Sequence, residues 1–420
     1  MAGIDSVFVR EFRESWARLA IAFTCMMFAF SAPLIALPFL YGPIMDEFGW
    51  TREQVTLLAS AKFAVGAVTS IVVGKFVDVI GVRKMLIFVS TAGGLAMVSF
   101  LWTPNLALYY GAGILLGIAA PGTIVAVKVL VSRTFHASQG TAMGLVMLGS
   151  SVASVIVPFV LTALIESYGW RIAIAALSIG IWFITLPMLV LCCSDRSLGH
   201  SPAVTDRAQP FEWGELRQFM QKRDFWLIAV AVMMAGFVDQ AFMQHQVLYL
   251  TLDMGMSATF VATVVSIFGA IGIIGRIFVG GVFDKASVKG VSAMYLVLAA
   301  GCLFALGVLN PYLLAAFVVF RAVGHSAVLL DTTILSKHVF GLANIGVLLG
   351  IYTALINVGF ALGPWVVARM YESNGSYTQA FVMCAVLAVV AAAILLPVKP
   401  AYWLDMRERM RSGRVAVSSD

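Results

Sequence analysis

The sequence predicts an all-α membrane protein with twelve transmembrane helices in two six-helix, pseudo-symmetric halves. Three observations predict it. The 420-residue chain is 61% hydrophobic and 11% charged, where a soluble protein is roughly a quarter charged. Its long stretches are apolar all round, and at about 20 residues per span they leave room for twelve helices. Strands of a membrane barrel would alternate apolar and polar residues instead. Finally, landmarks along the chain recur at a constant offset of 206 residues.

The spans are expected near 19–41, 52–74, 85–103, 106–131, 141–166, 171–193, 225–250, 257–283, 290–309, 311–335, 345–368 and 376–397. The longest polar stretch, 194–224, is expected to be a cytoplasmic linker. It separates an N-terminal half, 1–193, from a C-terminal half with its tail, 225–420. Within it, 211–222 reads as a short amphipathic helix on the membrane surface. The repeat pairs Gly49 with Gly255, Gly66 with Gly272, Gly74 and Asp78 with Gly280 and Asp284, Gly144 with Gly350, Pro158 with Pro364, and Glu166 with Glu372. Glycines alone could coincide in a Gly-rich chain; turn residues, a loop acid, a proline and a loop glutamate in one frame imply duplication. Two parallel six-helix halves about an axis along the membrane normal is a transporter arrangement, with the substrate site at their interface.

Charge sets the orientation. Of 27 Lys and Arg, three (Arg52, Arg171, Arg369) fall in loops on one side, four fall within spans, and 20 fall on the other side. The positive-inside rule then places both termini in the cytoplasm. The net charge of +6 is spread over short loops and tails, which argues against nucleic-acid binding. The five cysteines are scattered through apolar segments and fit neither a metal spacing nor a disulfide framework. The first apolar run is long enough to span, and no cleavable signal is expected before it. No metal spacing, P-loop or nucleophile elbow is present, so neither an enzyme nor an ATP-driven pump is expected, and no cofactor.

Between the second and third spans stands Gly74-Lys75-Phe76-Val77-Asp78-Val79-Ile80-Gly81-Val82-Arg83-Lys84. Gly74 lets helix ends approach. Asp78, near a helix end, can pair with cations or a helix N-terminus. Gly81 supplies the turn. Arg83 and Lys84 hold the loop in the cytoplasm. The pattern G-x-x-x-D-x-x-G-x-[RK]-[RK] resembles the loop between helices 2 and 3 of the major facilitator superfamily. That resemblance covers the whole chain and implies alternating access, with Gly74, Asp78, Gly81, Arg83 and Lys84, and Asp284 in the weaker copy, gating the exchange. Two further strings, Phe48-Gly49-Trp50-Thr51-Arg52 and Phe135 to Gly149 with Ala142-Met143-Gly144, are similar to the monocarboxylate transporter family and its bacterial relatives. The chain departs from the animal members of that family in two places: its first span carries no charge, and Gly272 stands where an acid precedes their helix-8 arginine. It departs from the related oxalate carriers in a third, since its eleventh span has no lysine.

An ionisable residue within a span is costly and marks function by default. Lys62, Asp239, Arg276 and Arg321 lie inside spans 2, 7, 8 and 10, with His245 and His325 nearby, and Lys128 and Asp331 close to cytoplasmic ends. Lys128 and Asp331 are expected to snorkel or pair with loops. A structural Asp239–Arg321 pair stands beside a functional reading of both. Arg276 coincides with the helix-8 arginine of the resembled carriers, and a guanidinium offers a planar fork for a carboxylate. Arg276, Lys62 and Arg321 are therefore the substrate candidates, and Asp239 with His245 the proton-coupling candidates. Four cations against two acids within spans suit an anionic substrate. The expected protein is a monomeric secondary transporter in the cell membrane, carrying a monocarboxylate or similar organic anion with protons. The alternative is a proton-antiport efflux carrier, which the absence of a glycine before Pro158 (Val157 stands there) disfavours.

Overall fold

The computed structural model describes residues 2–103, 105–135, 139–192, 218–341 and 345–405, without the side chains of 2–11, 14, 71, 74, 75, 78, 140 and 345–347. Residues 194–217 of the expected linker, 194–224, and with them most of the expected surface helix, lie outside the described residues. Among the described residues the regular elements are helices, with no strand. Ten of these helices are long and apolar enough to cross a membrane, which makes this a multi-pass membrane protein.

The helices overrun the expected spans. The second runs Arg52–Ile80 rather than stopping at 74, and later ones run Pro311–Phe340 and Ile345–Asn374. An apolar run marks only the hydrocarbon core, whereas the helical backbone keeps its own hydrogen bonds satisfied well beyond it. Spans expected at 257–283 and 290–309 are joined in one element, Ala258–Phe304, interrupted only at Ser287 (φ 51°, ψ −130°). One residue with positive φ is enough to turn the chain, so no loop is needed.

Capping fixes the other ends. Gly49 closes the Ala32–Phe48 helix in the left-handed conformation. Thr51 then opens the next helix with a capping box: its Oγ1 accepts from the Gln54 amide at 3.2 Å while its own amide donates to Gln54 Oε1 at 2.9 Å. Two π-helical stretches, Cys25–Ser31 and Gly180–Thr185, run just ahead of Pro33 and Pro187. A proline ring displaces the carbonyl four residues back, here Ala29 and Phe183, and the wider turn absorbs it.

Positive φ recurs at the 206-residue offset: Gly49 with Gly255, Gly169 with Gly375, and Gly81 with Ser287. Helix limits do the same, Gln139–Tyr168 against Ile345–Asn374.

Contacts group the chain into two units. The first comprises Met1–Ala208 with Met243–Ala270, and the second Gln209–Phe242 with Ile271–Asp420. In the first, the Arg52–Ile80 and Leu106–Thr134 helices meet backbone to backbone: a Cβ on Gly117 would lie 2.6 Å from the carbonyl oxygen of Lys62. In the second, a Cβ on Gly359 would lie 2.1 Å from the Met233 carbonyl oxygen. Packing of this kind needs small residues, because lipid offers no hydrophobic drive between helices.

Candidate functional site

In the first unit the Arg52–Ile80 helix carries Lys62 inward. Its side chain is 3% exposed, and its Nζ has no hydrogen-bond partner among the described residues. The ammonium stands 4.2 Å from the centre of the neighbouring Phe63 ring, a cation–π contact that offsets only part of the lost hydration. Gly117, pressed against the backbone of Lys62, keeps that helix close. A buried ammonium with no hydrogen-bond partner among the described residues is able to take one carboxylate.

The same unit holds polar contacts that the sequence did not announce. Arg52, the first residue of its helix, donates to Asp253 Oδ2 at 2.8 Å, both side chains being mostly buried. Tyr41 Oη donates to Gln244 Oε1 at 2.7 Å. Asp253 stands 206 residues after Glu47, which itself pairs with Arg171 and accepts from Trp170 Nε1 at 2.8 Å. An acid closing the same helix in both repeats was the available signal. His245 is fully buried in this unit.

In the second unit the Arg223–Leu248 and Pro311–Phe340 helices bring three ionisable groups together. Asp239 and Arg321 are both fully buried. Arg321 Nη2 donates to Asp239 Oδ1 at 3.3 Å and to its backbone oxygen at 3.2 Å. His325 Nδ1 lies 2.9 Å from each carboxylate oxygen, and Gln240 donates to Oδ2 at 3.2 Å. The guanidinium also stacks 4.8 Å from the centre of Phe242. Its Nε and Nη1 have no hydrogen-bond partner among the described residues. One carboxylate thus serves two basic groups, and Arg321 retains unused donors. The expected Asp239–Arg321 pair is thus formed within this unit.

Asp331 departs from expectation. Instead of snorkelling it is fully buried; Tyr295 Oη donates to its Oδ2 at 2.6 Å, and the amide of Thr332 donates to its Oδ1. Distance from the helix centre says nothing about which face a residue occupies, and this face points at another helix. Lys128, by contrast, is exposed, and Arg276 is half-buried, with no hydrogen bond or ion pair among the described residues. The balance of charge within spans is therefore even among the fully buried groups: Lys62 and Arg321 against Asp239 and Asp331. Ser326, one residue past His325, donates to the Gly272 oxygen at 3.2 Å, fixing the helix that carries Arg276.

In the loop after the second helix, Gly81 has φ 88°. Arg83 reaches another helix end, its Nε donating to the Leu189 oxygen at 3.2 Å and its Nη2 to the Val190 oxygen at 2.7 Å. Lys84 and Asp284 are exposed. Gly74 and Asp78 sit in the helical backbone, and their side chains lie outside the described residues.

Comparison with known proteins matches these features to one family. The model of the Major Facilitator Superfamily matches residues 19–338. Monocarboxylate transporter 12 of Rattus norvegicus is 25% identical over 321 residues, 69% of this chain and 65% of that protein. Monocarboxylate transporter 9 of Mus musculus is 30% identical over 168 residues, 38% of this chain and 32% of that protein. The chain thus spans less than two thirds of the length of these curated relatives. Among solved structures, a mutant of the peptide transporter POT in complex with sulfate aligns with a TM-score of 0.74 at 13% identity, over 93% of this chain and 95% of that one. A bacterial homologue of the human lysosomal transporter Spinster, inward-facing and unoccupied, aligns at 0.72 and 16% identity, over 94% and 98%. At such identity the likeness speaks for the fold alone. A family match over most of the chain, on a body of long apolar helices with charges buried between them, means that this protein belongs to the major facilitator superfamily.

Proposed function

We propose that the protein is a secondary transporter that carries a monocarboxylate or similar small organic anion by alternating access, in symport with protons. Lys62 carries the proposal: a buried ammonium with no hydrogen-bond partner among the described residues is suited to an anion, and a carboxylate is the anion that the similar transporters are named for. Arg276, half-buried and without a pair among the described residues, is the second cation for the substrate, and the unused donors of Arg321 are the third. Asp239 and His245 are the candidates for the coupled proton; a proton on Asp239 would loosen its hold on Arg321. Gly74, Asp78, Gly81, Arg83, Lys84 and Asp284 would gate the exchange between states.

The ten apolar helices, the break at Ser287 and the Arg52–Ile80 helix support twelve spans. The matching helix limits and turns at the 206-residue offset support two six-helix halves, 1–193 and 225–420, around a linker, 194–224. The placement of 20 of 27 Lys and Arg supports cytoplasmic termini.

The test is uptake of labelled short-chain monocarboxylates by proteoliposomes under an imposed pH gradient. Accumulation that collapses with the gradient, and that Lys62→Gln removes, is expected. Absence of acid-dependent uptake across a panel of monocarboxylates would sink the proposal.

A further inference from the structure

Among the described residues, four charged side chains within the membrane helices are at most 3% exposed, and three are accounted for. Asp239 is balanced by Arg321 and His325, Arg321 by Asp239, and Lys62 awaits an anion. Asp331 is the fourth. It is 0% exposed. Its Oδ2 receives the Tyr295 hydroxyl at 2.6 Å and its Oδ1 the amide of Thr332. Among the described residues no lysine, arginine or histidine pairs with it. The ionisable groups that act on it are Tyr295, from the part of the Ala258–Phe304 helix beyond Ser287, and Asp239, from the Arg223–Leu248 helix. Neither is a cation, and the charge of Asp239 is already spoken for by its own two partners.

An isolated carboxylate in such a place is costly, and two hydrogen bonds offset the cost only in part. Two compensations are chemically open, a metal cation or a proton. A hard cation takes about six oxygen ligands. Asp331 and Tyr295 supply a carboxylate and one hydroxyl, and no cluster of three or more metal-ligating side chains occurs among the described residues. A proton needs one oxygen, and Asp331 offers it.

We infer that Asp331 is a proton-binding site. The carboxyl takes up one proton while Tyr295 and its helix close over it, and gives that proton to water when the two helices part. Tyr295 is a positioning residue: its hydroxyl holds one carboxyl oxygen, which leaves the other to the Thr332 amide. The inference rests on the proposed proton symport for its role in the transport cycle, but the protonation itself can be measured without any substrate.

Two measurements test it. The first is proton uptake by the purified full-length protein in lightly buffered detergent, between about pH 9 and about pH 6, above the range where ordinary carboxyls titrate. Wild type is expected to bind one proton more per chain than Asp331→Asn. Equal counts would overturn the site whatever the protein transports. The second is transport in proteoliposomes. Asp331→Asn should abolish accumulation driven by a pH gradient and leave exchange of substrate for substrate within about twofold. Accumulation at the wild-type level would overturn the coupling role. If wild type carries no acid at all, the transport proposal fails and the proton count alone decides the site. If Asp331→Asn does not fold, Tyr295→Phe replaces it. That variant keeps the ring and removes one hydrogen bond to the carboxyl, so the pH midpoint of proton uptake should move by about one unit. A merely structural Tyr295 would leave the midpoint in place.

Discussion

Lys62 and Arg321 are both cations sealed inside the helices, one in each unit, and the chain treats them in opposite ways. Arg321 is given a carboxylate, a backbone oxygen and the face of Phe242. Lys62 is given one aromatic ring and nothing else among the described residues. The difference separates a charge that the fold already pairs from a charge that has no hydrogen-bond or ion-pair partner among the described residues. Breaking a buried pair strands a charge. Removing a charge that is already stranded relieves the fold. The two sites should therefore answer mutation with opposite signs.

The largest effect is expected at the paired site. Asp239→Ala leaves Arg321 buried without its anion and should cost about 3–5 kcal/mol. Thermal unfolding in detergent would measure it, and the double variant Asp239→Ala with Arg321→Leu should recover most of the loss. A single variant as stable as wild type would dissolve the contrast with Lys62.

At the unpaired site, Lys62→Met should raise the stability of the unloaded protein by about 1–3 kcal/mol, the usual cost of a buried unsatisfied donor. The same variant should lose the stabilisation that a monocarboxylate confers on wild type. A fall in the unfolding temperature of the unloaded variant would mean that Lys62 is structural after all.

Arg276 lies between these extremes, half-buried and without a pair among the described residues. Arg276→Gln should weaken binding of the acid about tenfold to a hundredfold, since a hydrogen bond to a charged group is worth roughly 1.5–3 kcal/mol. Arg276→Lys should weaken it less. Ligand-induced thermal shifts rank the three proteins, and a Gln variant that binds like wild type would leave Lys62 as the principal anchor.

The smallest effect concerns the two turns at the 206-residue offset. Gly81 takes φ 88° freely, while Ser287 holds φ 51° against the preference of a side chain. Ser287 also has its hydroxyl 2.9 Å from His338 Nδ1. Ser287→Gly should relieve the backbone and lose that hydrogen bond, for a net change within about 1 kcal/mol. Gly81→Ser has no such compensation described and should be the more damaging of the two. Equal unfolding temperatures for the two variants would erase the distinction.

Much of this fold was legible because its signals are local. An apolar run announces a span, a charge inside it announces a candidate, and Gly49, Gly81 and Ser287 fall at breaks visible in the chain. Lys62, Asp239, Arg276 and Arg321 were all singled out in that way, and so was the pairing of Asp239 with Arg321. Other partners were not. His325 lies 86 residues from Asp239, Tyr295 lies 36 from Asp331, and Asp253 lies 201 from Arg52. Which face of a helix meets which neighbour depends on packing, and no window of sequence contains it. Asp331 shows the consequence: its position near a helix end suggested an escape to water, and its face denied one.

Arg83 is bound by two separate demands. Protein insertion weighs only its positive charge, and a lysine at that position would satisfy the membrane machinery equally well. The carbonyls of Leu189 and Val190 weigh its shape, since they are held by two nitrogens of one flat group. An Arg83→Lys variant would thus be inserted the right way round and still leave the end of the sixth span loosely tethered. A screen that reads orientation would score it as silent, and a screen that reads the pace of conformational exchange would not.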